Sequence, residues 1–376
     1  MTKVMIWPAG DENDGTSQYR LFCPAAPLMA AGEDIVVDYT GPTITWNHWW
    51  DTSDGKRPPA SARVEGLAKV PEADVIVMQR PAERWWADVI PYLQRAGVRV
   101  VVDVDDRFDQ IDQGNWAKYA YDPNHPERGE VHNHQWVNEA CKQADLVTCT
   151  TPDLLKRYGH GHGLILPNLV PERYLKIEGE RPETIGWSGS TRTHPKDLQV
   201  TGSAVQEALD AFGWGFHVIG SGENVQNYLG LTDAPSTTDG WVSFADYPAE
   251  MAKMAVGIVP LADTVFNRSK SALKMGEMAA VGVPVVASPT PDNERLAALG
   301  VGRLASTPQR WRKQLRALIN NPEYRADLAG TGREVMATQT YEAHCEKWWD
   351  AWTLSAKRGA RRDAAIERLD DLIAAG

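Results

Sequence analysis

Cysteine is scarce: 376 residues contain four, Cys23, Cys141, Cys149 and Cys345, with no C-x-x-C among them. That scatter argues against a zinc cluster or a disulfide framework and suits buried thiols in a reducing compartment. Long apolar runs are also missing. A membrane-spanning helix needs about 20 consecutive apolar residues, and no stretch comes near that length. The opening "MTKVMIWPAG" lacks the apolar core of a signal peptide, so a cytoplasmic address is expected. Positive charge is the scarcer sign, with 39 Lys and Arg against 50 Asp and Glu, a net charge of −11. Strong non-specific binding to nucleic acid or to an anionic membrane is therefore not expected. A local basic cleft for a phosphorylated ligand remains compatible with that balance. There is no repeat of solenoid length and no low-complexity tract.

Tryptophan, in contrast, is abundant: 15 residues, including the doublets Trp49-Trp50, Trp85-Trp86 and Trp348-Trp349. Most should pack in cores. The dominant pattern is alternation. Short apolar runs such as "KVMIWPA", "DIVVDY", "ADVIVMQR", "VRVVVDVD" and "DLVTCT" are separated by amphipathic segments such as "ERWWADVIPYLQRAG" and "HNHQWVNEACKQA". "TSQYRLFCPAAPLMAAG" reads as the first helix. This is the signature of βαβ units around a parallel sheet, with right-handed crossovers covering both faces. A polar stretch without period, "VPERYLKIEGERPE" at 170–183, reads as a linker, and the alternation restarts at "TIGWSG". A chain of this length exceeds one ordinary core, so two tandem α/β domains are expected. Ligands of such sheets bind outside the carboxyl ends of the strands. The tail contains a Trp-rich helix, "TYEAHCEKWWDAWTLSA", then a basic patch and a short amphipathic helix with Ile366, Leu369, Leu372 and Ile373 on one side.

Two stretches carry chemistry. "VRVVVDVDDRFD" ends a strand in Asp103, Asp105 and Asp106. Strand period puts Asp103 and Asp105 on one face and Asp106 on the other. Asp-x-Asp can hold a divalent ion beside a phosphate; acids facing a substrate, or acids closing a strand end, are the competing readings. The second stretch is "FNRSKSALKMGEMAAVGVPVVAS", residues 266–288. The spacing predicts a helix starting near Ser269 or Ser271, either of which can cap it. Gly282 ends that helix and Pro284 opens a buried strand. Lys270, Lys274 and Glu277 then fall at i, i+4 and i+7. Two lysines at that spacing repel each other, but they suit a helix start that receives an anion. A diphosphate there, with Glu277 accepting ribose hydroxyls, accounts for all three; a solvated charged face is the alternative.

The second stretch resembles the donor-nucleotide segment of group 1 (family 4) glycosyltransferases with the GT-B fold. These read F-N-x-x-K-S-x-x-K, then Glu, a small-residue turn and P-V-V-A-S. The resemblance implies two tandem Rossmann-like domains facing each other across a cleft. Residues 1–175 would form the acceptor side and 176–338 the nucleotide-sugar domain; 339–376 would supply a return helix and an amphipathic tail open to self-association. It implies that Lys270, Ser271 and Lys274 hold the diphosphate of a nucleotide-sugar and that Glu277 holds the ribose. In "GWSGSTRTHPKDL", Ser188, Gly189 and Ser190 would line the donor, with Arg192 and Lys196 as phosphate contacts. In "AGDENDGTSQYR", Gly15 would belong to the glycine-containing first loop, beside Asp11, Glu12 and Asp14. Relatives often end the strand at 98–106 with a His-Asp pair, and Asp105 and Asp106 stand in those positions as catalytic candidates. Many relatives carry two glutamates separated by seven residues; Glu277 matches the second, while Ser269 replaces the first.

The implied activity is transfer of a sugar from a nucleotide-sugar co-substrate to an acceptor hydroxyl, with retention and without a required metal or other cofactor. A nucleotide-sugar epimerase and a catalytically degenerate sugar-binding or assembly protein are the alternatives. The acceptor is open among glycan, lipid, protein and modified nucleic-acid base.

Overall fold

The computed structural model describes residues 2–47, 59, 61–194, 196–238 and 240–354. The Trp49-Trp50 doublet and the tail beyond Leu354, with its amphipathic helix, lie outside the described residues. Two compact units divide the described residues: those within 2–109, 117–167 and 344–354 form the first, and those within 110–116 and 168–343 the second.

The first unit is built on a six-stranded sheet in the order β2-β1-β5-β6-β7-β8. Its strands are β1 (Lys3–Trp7), β2 (Asp34–Val37), β5 (Val75–Gln79), β6 (Arg99–Val104), β7 (Leu146–Cys149) and β8 (Gly163–Ile165). All neighbouring pairs are parallel. β5, β6 and β7 consist of apolar, largely β-branched runs because helices cover both faces of such a sheet, and nearly every residue of the three is buried. A separate antiparallel hairpin, β3 (Ile44–Trp46) with β4 (Val64–Leu67), was not legible in the alternation.

The second unit repeats the plan, in the order β11-β10-β9-β12-β13-β14, again parallel throughout. The strands are β9 (Thr184–Ser190), β10 (Gly215–Ser221), β11 (Ser236–Thr237), β12 (Val256–Val259), β13 (Val285–Ala287) and β14 (Arg303–Leu304). In each sheet the order reverses beside the first strand, between β1 and β5 and between β9 and β12. Loops leaving the carboxyl ends of these strands diverge there, which opens a crevice for ligands.

Two local departures have clear causes. The first helix is not uniform: a π-helical turn, Gln18–Phe22, lies between helical pieces Gly15–Ser17 and Cys23–Ala30. Pro24 has no N–H to donate to the carbonyl of Arg20, so the ladder widens at that point. A 16-residue helix, Pro322–Ala337, is present where no helix was read. Its small residues Gly330 and Gly332 weaken the helical signal, but Gly332 allows close packing: a Cβ there would meet Ala279 Cβ at 3.2 Å.

Arg20, carried by the widened turn, is fully enclosed. Its Nε and Nη2 donate to Asp103 Oδ1 and Oδ2 at 3.0 and 2.7 Å, and Nη1 donates to the Leu166 carbonyl at 2.6 Å. Thr148 Oγ1 donates to Asp103 Oδ2 at 2.6 Å. Arg20 and Asp103 are each 1% exposed. Breaking a buried pair leaves one charge uncompensated, at a cost of about 3–5 kcal/mol. Asp103→Ala should lower the unfolding free energy by that amount in urea denaturation. A loss under about 1 kcal/mol, the range of a surface pair, would show that the pair does not hold the sheet.

Candidate functional site

In the second unit, two loops leave the point where the strand order reverses. The loop after β9 turns back on itself, with Thr193 and His194 N–H both donating to the Ser190 carbonyl at 3.2 and 3.0 Å. Gly220, at the end of β10, has φ +106, and a Cβ there would lie 2.6 Å from the Gly189 carbonyl oxygen. Only glycine permits that approach. Asp197 then joins the two loops. Its Oδ2 lies 2.7 Å from His194 Nδ1, and its Oδ1 accepts from the Ala262 N–H and from Asn267 Nδ2, both at 2.8 Å. Asn267 belongs to a short helix, Val265–Arg268, capped by Thr264, whose Oγ1 accepts from Asn267 N–H at 3.1 Å.

The helix holding the charged triad begins later than the sequence suggests. It runs Leu273–Ala280, after Ala272, with no side-chain cap. Ser269 instead closes the preceding short helix, its Oγ donating to the Phe266 carbonyl at 2.7 Å. Ser271 Oγ accepts from Asn168 Nδ2 at 2.9 Å, and the Ala272 N–H donates to Asp292 Oδ2 at 2.6 Å. The serines that resemble caps therefore have other partners, and Lys270 precedes the helix. The expectation of one helical face at i, i+4 and i+7 is corrected accordingly. At the far end the reading holds: Gly282 has φ +75 and β13 follows Pro284.

The charges nevertheless converge. Burial pushes the Lys274 ammonium below its ordinary range; Glu277 opposes that shift and Lys270 reinforces it. Burial likewise pushes His194 down, against its bond to Asp197, and both Lys270 and Lys274 push the same way. Lys270 Nζ lies 4.2 Å from the Phe266 ring centroid, a cation–π contact. Glu277 is 2% exposed. The Tyr247 hydroxyl bonds both to Ser188 Oγ, at 2.6 Å, and to the Glu277 carboxylate. Burial, followed by the Glu277 charge, raises the Tyr247 pKa well above the ordinary tyrosine value. Tyr247 was missed in the sequence because it opens a short helix, Tyr247–Met251, that carries no motif and lies far along the chain from both partners.

The remaining donor-side candidates are less engaged. Arg192 forms an exposed ion pair with Glu223, Nη2 to Oε1 at 2.9 Å, and Lys196 is exposed. The segment 110–116 packs on the same loop. Asn115 Nδ2 donates to the Thr193 carbonyl at 2.8 Å, Trp116 N–H to the Arg192 carbonyl at 2.9 Å, and Thr264 Oγ1 to Asp112 Oδ2 at 2.9 Å. A cavity of 380 Å³ opens among the loops after β12, β13 and β14, lined by Ala262, Arg268, Ser288, Thr290 and Trp311. That size falls within the roughly 300–1,000 Å³ of ligand pockets.

Gly15, Asp105 and Asp106 belong to the first unit. Gly15 starts the first helix behind the cap Asp14, and a Cβ there would meet nothing within 4 Å. Asp14 accepts from Ser17 N–H and Oγ at 2.8 and 2.7 Å, and Asp11 Oδ1 accepts from Asn13 N–H at 2.8 Å. At least these two acids shape their own loop. Asp105 is gripped at both oxygens by Arg80 Nε and Nη2, and Arg80 Nη2 also donates to Thr16 Oγ1 at 3.0 Å. Arg80 adopts φ +48, a strained conformation held by these bonds and by its N–H to the Asp103 carbonyl. Asp106 is half-buried, and its charge acts on Arg80 and Tyr121. The strand-face reading of Asp103 and Asp105 thus resolves into two separate arginine pairs. Among the described residues, no cluster of three or more His, Cys, Asp or Glu is arranged to hold a metal.

Residues 182–321 match the family described as glycosyl transferases group 1. A search of curated proteins by sequence gave no match. Among solved structures, Anabaena HepE in complex with UDP-glucose is similar to this chain with a TM-score of 0.63 at 14% identity, covering 95% of this chain and 100% of that one. Sucrose-phosphate synthase from Thermosynechococcus elongatus gives 0.59 at 14% identity, covering 93% and 98%. WaaG, a glycosyltransferase involved in lipopolysaccharide biosynthesis, gives 0.57 at 14%, covering 94% and 100%. At such identities the structures establish the fold, and the matched segment spans the strand-end loops and the lysine-bearing helix just described. Over residues 182–321 the chain matches group 1 glycosyl transferases, and its two parallel sheets share the GT-B fold of these structures.

Proposed function

We propose that the chain transfers a glycosyl group from a nucleoside diphosphate sugar to an acceptor hydroxyl, with retention at the anomeric carbon and without a divalent metal. The observation that carries this reading is that Lys270 and Lys274 act on each other and on His194 of the loop after β9, with the buried Glu277 one turn beyond Lys274. When the bond from the anomeric carbon to the diphosphate breaks, its electron pair stays on the phosphate oxygen. Two ammonium groups fixed beside that oxygen stabilise the developing charge without reorganising. Glu277, positioned by Tyr247, is the acceptor for ribose hydroxyls. Uridine is the nucleoside to test first, because solved neighbours carry UDP and UDP-glucose.

The acids of the first unit are the candidates for the acceptor side. A carboxylate held at both oxygens by a guanidinium is a weak base, so Asp105 acts as an orienter. Asp106 takes the acceptor proton as the acceptor oxygen bonds to the anomeric carbon on the face the diphosphate leaves, which retention in a single step requires. The Arg20 pairing supports the metal-independent reading, because withdrawing Asp103 to a cation would strand the buried Arg20. Among the described residues no helix is long and apolar enough to cross a membrane, and a cytoplasmic site of action is proposed with the rest. The acceptor and any self-association through the tail are left to experiment.

Four outcomes are expected. Lys274→Ala should weaken UDP binding by roughly 10- to 100-fold, the worth of a hydrogen bond to a charged group, in calorimetric titration; unchanged binding would remove Lys274 from the donor site. Asp106→Asn should lower kcat on UDP-glucose by about 100-fold or more with donor affinity intact, and an unaltered kcat would exclude it as the base. Activity should survive EDTA, and proton NMR of the product should show the donor's anomeric configuration.

A further inference from the structure

His194 has a placement that simple donor binding does not require. Its Nδ1 is tied to the Asp197 carboxylate at 2.7 Å, and Asp197 is 4% exposed, locked by two further donors from the loop after β12. The ring therefore cannot turn over without breaking that network. Its other nitrogen, Nε2, has no hydrogen-bond partner among the described residues, and the side chain is 17% exposed. The charged groups acting on it are Asp197 on its own loop and Lys270 and Lys274 from the neighbouring segment.

In the free protein, burial and the two ammonium groups favour the neutral imidazole. A neutral ring bonded through Nδ1–H to a carboxylate presents a lone pair at Nε2. That is the wrong polarity for a phosphate oxygen. A diphosphate entering beside the lysines cancels their repulsion and adds negative charge of its own. Both effects favour the imidazolium, whose Nε2–H can then donate to the anion.

We propose that His194 is a proton-coupled donor-site residue: binding of a nucleoside diphosphate sugar draws a proton onto Nε2, which then hydrogen-bonds the diphosphate. The imidazolium thus stands ready to bond the leaving oxygen when the anomeric bond breaks. Asp197 is the positioning residue, holding the ring orientation and stabilising its charge. The inference rests on the donor reading of this site, and it adds a proton to the binding equilibrium.

The sign follows from linkage. A group whose pKa is higher in the bound than in the free state takes up protons on binding, and affinity falls as pH rises through the window between the two values. UDP-glucose is the suitable probe, because its diphosphate does not titrate between about pH 6 and 8. Calorimetric titration in two buffers of different ionisation heat, with the full chain at pH near 7, reads the protons taken up per ligand. The wild type should take up a substantial fraction of a proton and bind several-fold more weakly at pH 8 than at pH 6. His194→Gln, which can donate from its amide without titrating, should bind with no uptake and a flat pH profile. His194→Asn, which can keep a bond to Asp197 but lacks the reach of Nε2, should bind more weakly, also without uptake. Uptake that persists in both variants, or is absent in the wild type, overturns the proposal while leaving the donor site intact. Failure of the wild type to bind UDP-glucose at all would count against the donor reading for this nucleotide and against the inference with it.

Discussion

The buried carboxylate of Asp197 is the tie on which the second unit's working surface depends. Parallel strands that diverge at a reversal point leave their loops without ladder partners, so something else must hold them. One Asp197 oxygen fixes the imidazole of the loop after β9; the other takes an N–H from Ala262 and an amide from Asn267 after β12. Burial makes each of those bonds count, because a buried acceptor left unsatisfied costs more than the bond is worth in water. From this one point the loops acquire a fixed separation. The charges of Lys270 and Lys274, arriving from the following segment, then act on His194.

The electrostatics of the chain are uneven in a way that suits an anionic ligand. The protein is net acidic, yet the Lys270 charge acts on Lys274, whose pKa burial depresses. A lysine held below its ordinary range by burial and a neighbouring cation raises the free energy of the free protein. A diphosphate would relieve that cost, and the proposed donor site thereby favours anions. Glu277 would be out of place in such a pocket, were it not hydrogen-bonded to Tyr247 and set one turn beyond Lys274. The first unit solves its own charge problem differently, by pairing Asp103 with Arg20 and Asp105 with Arg80.

Much of this was legible in the sequence because it depends on local pattern. The apolar runs of β5, β6 and β12 are long, β-branched and bounded by polar turns, so their period decides their structure. Gly282 and Pro284 mark a helix end by backbone geometry alone. What escaped reading depends on partners distant in the chain. Ser269 and Ser271 look like helix caps, but tertiary bonds to Phe266 and Asn168 claim them, and Thr264 caps an earlier turn. Asp-x-Asp suggests a metal until Arg20 and Arg80 arrive from other strands and turns. Tyr247 has no motif at all, and only the fold brings its hydroxyl to Ser188 and Glu277.

The central claim is that the strand-end loops of the second unit hold a nucleoside diphosphate by its charge and its ribose. A crystal structure of the protein grown with UDP tests it most directly. Density should place the diphosphate against Lys270, Lys274 and His194, with the ribose hydroxyls on Glu277. UDP bound elsewhere, or with its diphosphate remote from both lysines, would contradict the account.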